Sequence, residues 1–304
     1  MPQLSFVTLD VFTTTRYLGN PLAVVQIPSG QDVSTEQMQT VAREFNLSET
    51  LFLHEQSPGS NDVPEWRVRI FVTDAEIPFA GHPTIGAAVY AFGTLAQGAR
   101  KGRLICNAGP IEIDYVDGVA TASIPHNFHE HTEHAVFDDE IYAMHHSLSR
   151  LGMAPEVDVV SPVKGMNFIC IKLEDLKTLA SVDSDGLPSA RLDDGWNQGL
   201  IGSFLYVITN APESEEGLVQ VRTRMLRGAE EDAATGSASC GLSILLAKKL
   251  QLGRRTKFEL TQGVEMGRKS DIGVVVELNE TMHEVERVEL SGSAVKVMEG
   301  VIEV

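Results

Sequence analysis

Trp66-Arg67-Val68-Arg69-Ile70-Phe71-Val72-Thr73, then Glu76, then Phe79-Ala80-Gly81-His82-Pro83-Thr84-Ile85-Gly86 read as a strand, an acidic turn and the glycine-led start of a helix. The same succession returns later as Val219-Gln220-Val221-Arg222-Thr223-Arg224-Met225-Leu226, then Glu231, then Ala234-Thr235-Gly236-Ser237 and a helix containing Gly241. Aligning Gly81 with Gly236 pairs Glu76 with Glu231, Arg69 with Arg224 and Gly86 with Gly241. Self-similarity at one fixed spacing is the sequence mark of a duplicated fold, so two copies of one unit are expected. In each copy the glycine offers unhindered backbone N–H groups at the positive end of a helix, an arrangement suited to a small anion. Two such termini brought together across a cleft between the copies would hold a carboxylate while side chains from both halves act on it.

Outward from these segments, short strand-like runs dominate: Phe6–Val11, Leu22–Ile27, Glu65–Val72, Arg103–Cys106, Ile111–Val116, Phe204–Thr209 and Val274–Leu278. Helical periodicity is clearest over Ser34–Phe45, Pro83–Phe92, Asp138–Leu151 and Ser237–Leu250. Long runs of strands with isolated helices predict an α+β protein rather than a βαβ sheet. No glycine-rich phosphate loop occurs, so nucleotide binding has no support.

The 304 residues carry 24 Lys and Arg against 42 Asp and Glu, a formal net charge of −18. That balance repels nucleic acid and anionic membrane surfaces alike. No run approaches the length of a membrane span, and the first residues lack the basic and apolar regions of a secretion signal, so a cytoplasmic location is expected. Cys106, Cys170 and Cys240 are far apart and form no CxxC, which argues against disulfides and thiolate metal sites. The run Pro125-His126-Asn127-Phe128-His129-Glu130-His131-Thr132-Glu133-His134 has the imidazole density of a Zn or Ni site, but a solvated connector between domains is the favoured reading.

At these residues the chain resembles the phenazine-biosynthesis PhzF-like family, a branch of the diaminopimelate-epimerase fold. The resemblance runs through Gly19-Asn20-Pro21-Leu22-Ala23-Val24-Val25, Asn46-Leu47-Ser48-Glu49-Thr50, Phe79–Gly86, Glu231-Asp232-Ala233-Ala234-Thr235-Gly236-Ser237-Ala238 and Gln262-Gly263-Val264-Glu265-Met266-Gly267-Arg268, in the family's order. It implies two similar domains, each a β-barrel-like sheet around a central helix, with the active site in the cleft between them. The expected boundaries are 1–125 and 126–304, with the last strand able to return to the first domain. It implies a cofactor-free isomerase, a small carboxylic acid as substrate and a homodimer.

The resemblance also implies Glu49 as the catalytic acid/base, with His82, Asp232 and Ser237 completing the site. Ser48, Gly81, Gly236 and Asn20 are the expected substrate-binding residues, and no metal is expected. Related epimerases use one cysteine from each half, where this chain has Ala80 and Ala234, so a two-thiol mechanism lacks its sulfur. Ala233 stands where the family usually has Pro, which predicts a less rigid turn. Apolar neighbours Phe45, Leu47, Leu51 and Phe52 are expected to raise the Glu49 pKa. Glu44 reads as a solvent-facing helix charge, Cys240 as a small buried residue, and Asp232 has a helix cap as its alternative role. An amino-acid epimerase using Glu49, or a binding protein that has kept the fold, are the competing expectations.

Overall fold

The computed structural model describes residues 3–58, 63–132, 138–151, 155–183, 186–212 and 217–304. The chain divides into two compact units, one formed by Met1–Pro125 with Glu289–Val304 and the other by His126–Val288.

In the first unit, β1 (Gln3–Val11), β2 (Asn20–Ile27), α1 (Thr35–Phe45), β3 (Thr50–His54), β4 (Ser57–Pro58), β5 (Pro64–Phe71), β6 (Glu76–Ile77), α2 (Gly81–Tyr90), β7 (Lys101–Cys106), β8 (Gly109–Val116) and β9 (Val119–Ser123) follow in order. The pairings run β1–β2, β2–β3, β3–β5, β5–β7, β7–β8 and β8–β9. A last strand, joined to β9 over Glu289–Ser293 and to β1 over Ala294–Glu303, closes the circuit into a barrel without free edges. The barrel surrounds α2, whose residues are buried nearly all round and which touches β1, β2, β3, β8 and β9. A helix apolar on every side is stable only in such a wrapped position. On the outer face, α1 lays Met38, Val41 and Ala42 over Val25, Phe52 and Phe71. Ser34 and Gln37 form a capping box at its start.

The second unit contains β10 (His129–Glu130), α3 (Asp138–Met144), α4 (His146–Leu151), β11 (Glu156–Val163), β12 (Met166–Lys172), α5 (Leu176–Ser181), β13 (Leu200–Asn210), β14 (Leu218–Arg227), β15 (Glu230–Asp232), α6 (Gly236–Leu250), β16 (Arg255–Gln262) and β17 (Ser270–Leu278). The long β18 (Val285–Glu303) begins here, and its residues from Glu289 onward are those that close the first barrel. Its strand sequence β11–β12–β13–β14–β16–β17 repeats the first unit's order, with parallel neighbours at the same two places. The short turn strands share a register as well: Ile70 faces Ile77 and Phe71 faces Glu76, while Met225 faces Asp232 and Leu226 faces Glu231. Helix α6 touches β11, β12 and β17, the counterparts of β1, β2 and β8 around α2, and also β16. The helices α3, α4 and α5 cover the other face through Ile141, Met144, Leu148 and Leu179.

The α+β expectation holds, but βαβ units are present within it: β2–β3, β5–β7, β12–β13 and β14–β16 are parallel, each pair bridged by a helical crossover. The apolar period over Asp138–Leu151 is split at His145 into two short helices, and His145 Nδ1 hydrogen-bonds the Asp183 carbonyl at 3.0 Å.

Candidate active site

Helix α1 ends on Asn46 in the left-handed region, its N–H donating to the Ala42 carbonyl. This reversal delivers Leu47, Ser48 and Glu49 to the mouth of β3, where Thr50 is fully buried. Glu49 retains 17% side-chain exposure, but its Oε2 is buried and has no hydrogen-bond partner among the described residues. His82 Nδ1 lies 3.6 Å from it, on a side chain that is only 5% exposed. Burial pushes the Glu49 carboxyl above the usual carboxylate range, and a hydrogen bond from the Ser48 side chain opposes it. Ser48 itself lies exposed beside it.

His82 follows Gly81 in the first turn of α2, and Pro83 stands third, where its missing N–H costs nothing. The cap residue Ala80 makes no side-chain bond, and no acidic residue occupies the first turn. The buried amide end led by Gly81 therefore keeps its positive polarity. Asn20 is buried at the first position of β2, opposite Val11.

In the second unit, Gly236 is buried at the start of α6 and Ser237, next to it, is partly exposed. This helix too has no side-chain cap and no acidic residue in its first turn. Asp232 does not cap α6: Thr235 occupies the cap position, and its hydroxyl donates to Asp232 Oδ2 at 2.6 Å. The turn lacks the family's proline at Ala233 but is braced from β16. Gln262 bonds both Asp232 and Thr235, and the backbone of Gly263 packs against Ala233. Thus Glu49 and His82 are brought together in one half, and Asp232, Gly236 and Ser237 share one braced turn in the other. Thr235 and Gln262 lie in quoted motifs, yet nothing in the sequence marks them as parts of a hydrogen-bonded ring.

The three cysteines are buried. Burial pushes the Cys240 thiol up to about 12 and raises the Cys170 thiol further, so neither supplies a thiolate. Ala80 and Ala234 stand at the two helix entrances without sulfur. Glu44 is exposed on α1.

The histidine run is not a solvated connector. His131 is buried, its Nδ1 accepting from the Asp193 N–H at 3.1 Å and its Nε2 bonded to Ser161 Oγ at 2.9 Å. Since the Ser161 hydroxyl donates to Asn167, it accepts from His131, which fixes the imidazole as the neutral Nε2–H form. His129 stacks on Trp196 and bonds Asp193 Oδ2 at 2.8 Å. His129, His131 and Asp193 could be gathered around an ion by distance alone. Both His131 nitrogens are already engaged, however, leaving no lone pair for a metal without breaking a buried bond. His134 lies outside the described residues.

A duplicated α+β unit with a buried helix at its centre and uncapped helix entrances defines a protein of the diaminopimelate-epimerase-like fold. The chain belongs to the PhzC-PhzF family of phenazine biosynthesis-like proteins, whose profile matches residues 9–300. It is 32% identical to an uncharacterized isomerase of Mesorhizobium japonicum, over 99% of each chain. It is 31% identical to the trans-2,3-dihydro-3-hydroxyanthranilate isomerase of Pseudomonas aeruginosa, over 97% of this chain and 98% of that one. Among solved structures it superposes on a PhzF-family protein of Bacillus anthracis with a TM-score of 0.78 at 20% identity, covering all of both chains. A hydroxyproline epimerase of Agrobacterium vitis shares the fold at a TM-score of 0.59 and 10% identity, over 99% of this chain and 92% of that one. The chain is accordingly an isomerase of the PhzF family. No helix among the described residues is long and apolar enough to cross a membrane.

Proposed function

We propose that this isomerase moves a proton between two carbons of a small unsaturated, amino- or hydroxy-substituted carboxylic acid, with Glu49 as the acid/base and His82 and Asp232 assisting. The observation that carries the proposal is the buried Glu49 Oε2, without a hydrogen-bond partner among the described residues and 3.6 Å from His82 Nδ1. A carboxylate so placed, with its pKa raised toward neutrality, takes a carbon-bound proton and returns it to another carbon, so no atom or electron is gained or lost. His82 orients Glu49 and stabilises its charged form. Asp232 and Ser237 bind polar groups of the substrate, and the amides at Gly81 and Gly236 hold its carboxylate, with Ser48 and Asn20 as further contacts. That both half-sites serve one substrate rests on family membership and on the duplication. The substrate class is carried over from the Pseudomonas relative, and a cytoplasmic homodimer completes the reading.

The test is proton NMR in D₂O with a panel that includes trans-2,3-dihydro-3-hydroxyanthranilate. Wild-type protein should relocate a proton and incorporate deuterium at one carbon, and Glu49→Gln should lower the rate by roughly 10²–10⁴-fold. An active Glu49→Gln variant sinks the assignment.

A further inference from the structure

We propose that Gln262 is a positioning residue of the active site: it dictates the direction of the Thr235 hydroxyl and thereby presents Asp232 to substrate as a fixed acceptor. The inference rests on the role given to Asp232 above. Gln262 is the last residue of β16 and fully buried. Its Oε1 accepts from the Thr235 backbone N–H at 3.1 Å, and its Nε2 donates to the Asp232 carbonyl at 2.8 Å and to Thr235 Oγ1 at 3.0 Å.

The polarity of this ring has one solution. A backbone N–H only donates and a carbonyl only accepts, so the carboxamide cannot flip. Its Nε2 therefore faces the Thr235 oxygen as a donor. The single hydroxyl proton of Thr235 must point away from it, toward Asp232 Oδ2 at 2.6 Å. Short hydroxyl-to-carboxylate bonds are among the stronger hydrogen bonds, so the carboxylate is held in one rotamer. The same bond turns the Thr235 side chain away from the helix amides, which is why α6 has no side-chain cap. Gly263, at φ +72°, lets this end of β16 approach: a Cβ there would lie 2.7 Å from the Ala233 carbonyl oxygen.

The device belongs to one half only. Arg67 pairs with Ile105 as Arg222 pairs with Thr261, so the counterpart of Gln262 is Cys106, whose thiol bonds only locally to the Gly109 carbonyl. The first half uses the Glu49–His82 pair instead.

The experiment compares full-length Gln262→Glu, Gln262→Leu, Thr235→Val and Thr235→Ser with wild type and Glu49→Gln, by steady-state kinetics on the substrate panel and by amide hydrogen exchange. Gln262→Glu keeps the acceptor for the Thr235 N–H but draws the hydroxyl proton to the new carboxylate. Its expected result is a kcat lowered by about tenfold or more with KM within about threefold, while the Thr235 amide stays protected. Thr235→Val should match it and Thr235→Ser should stay near wild type. The proposal is overturned if Gln262→Glu keeps wild-type kcat while Glu49→Gln loses it, or if in Gln262→Glu, which retains the acceptor, activity and Thr235 protection fall together, which marks a role in folding alone. Should wild type turn over none of the panel, the catalytic reading fails first, and exchange decides the ring: about tenfold faster Thr235 exchange in Gln262→Leu upholds it, unchanged exchange refutes it.

Discussion

Arg224 on β14 and Glu231 on β15 are joined by two parallel hydrogen bonds, Nε to Oε1 at 2.9 Å and Nη2 to Oε2 at 2.8 Å. Arg69 and Glu76 repeat the pair in the first unit at 2.8 and 2.6 Å. Each pair ties a sheet strand to the short strand that leads into a central helix. It therefore sets where the helix N-terminus, and with it Gly81 or Gly236, begins. Planar bidentate geometry fixes distance and orientation together, which a lysine would not do.

The two pairs should differ in worth. Arg224 is 7% exposed and also donates from Nη1 to the carbonyls of Leu179 and Val182, whereas Arg69 is more open, donates further to the Thr35 hydroxyl and lies over the Phe71 ring. Removing Arg224 strands a half-buried carboxylate and two carbonyls. Arg224→Ala should cost roughly 3 kcal/mol and Arg69→Ala about 1 kcal/mol, read by urea unfolding. Equal losses would show that the buried carbonyl contacts contribute nothing.

Glu49 makes its own mark on stability. Its folded pKa is raised, chiefly by burial, above the ordinary 4.5. The folded state therefore binds the proton more readily than the unfolded one, and this stabilising contribution is complete below pH 4.5 and lost as pH rises through the folded value. At pH 7.5 the wild type bears the cost of a buried carboxylate that Glu49→Gln avoids. The variant should melt higher than wild type at pH 7.5, and the gap should shrink toward pH 4, as thermal scans would show. A gap independent of pH would mean that the carboxylate is as well solvated in the fold as outside it.

Much of the fold could be read from residue patterns because the duplication leaves matching polar residues at matching turns. Glu76 with Arg69 and Glu231 with Arg224 were legible as a repeat, and both pairs form. Helix α1 was legible to within a residue through its Ser34 cap. Residue patterns carry no long-range pairing: β18 pairs with β1 and β9, strands far from it along the chain, and alternation alone carries no information on partners, so a returning last strand was suggested by the family resemblance and not by the pattern. The six-residue α5 is too short to show a period. Gln262 looked like an ordinary strand residue because its partners, Asp232 and Thr235, lie 30 and 27 positions away and meet it through the parallel pairing of β14 with β16.

His131 should make stability fall on mild acidification. Burial, followed by the nearby His129, lowers its pKa below 6.5, against a weaker pull upward from Asp193. A neutral imidazole is what the fold holds, so its contribution is present above pH 6.5 and lost as pH falls through the folded value. His131→Phe orphans the Asp193 N–H and should be about 2 kcal/mol less stable at pH 7.5. Its deficit should narrow toward pH 5, where wild type must protonate or strain His131. Denaturant melts at the two pH values would check this, and a constant deficit would remove His131 as the titrating group.

The two central helices place matched glycines under unequal pressure. A Cβ on Gly86 would meet Leu22 Cδ2 at 2.6 Å and Val11 Cγ2 at 2.7 Å, inside a closed barrel whose strands are held on both sides. A Cβ on Gly241 would meet Pro162 Cδ at 3.3 Å and Val160 Cγ2 at 3.4 Å, contacts that yield with a shift of a few tenths of an ångström. Both substitutions gain close to 1 kcal/mol of helix propensity, since alanine orders more readily than glycine. At Gly86 overpacking, typically 1–3 kcal/mol, outweighs that gain, and α2 must move relative to β1 and β2, carrying His82 with it. Gly86→Ala should therefore lower the melting temperature and also kcat. Gly241→Ala should leave stability near wild type or slightly above it. The comparison needs only melting curves and one assay on three proteins. A Gly86→Ala variant as stable as wild type would mean that Leu22 and Val11 reach other rotamers freely, and that the barrel grips α2 less tightly than its contacts require.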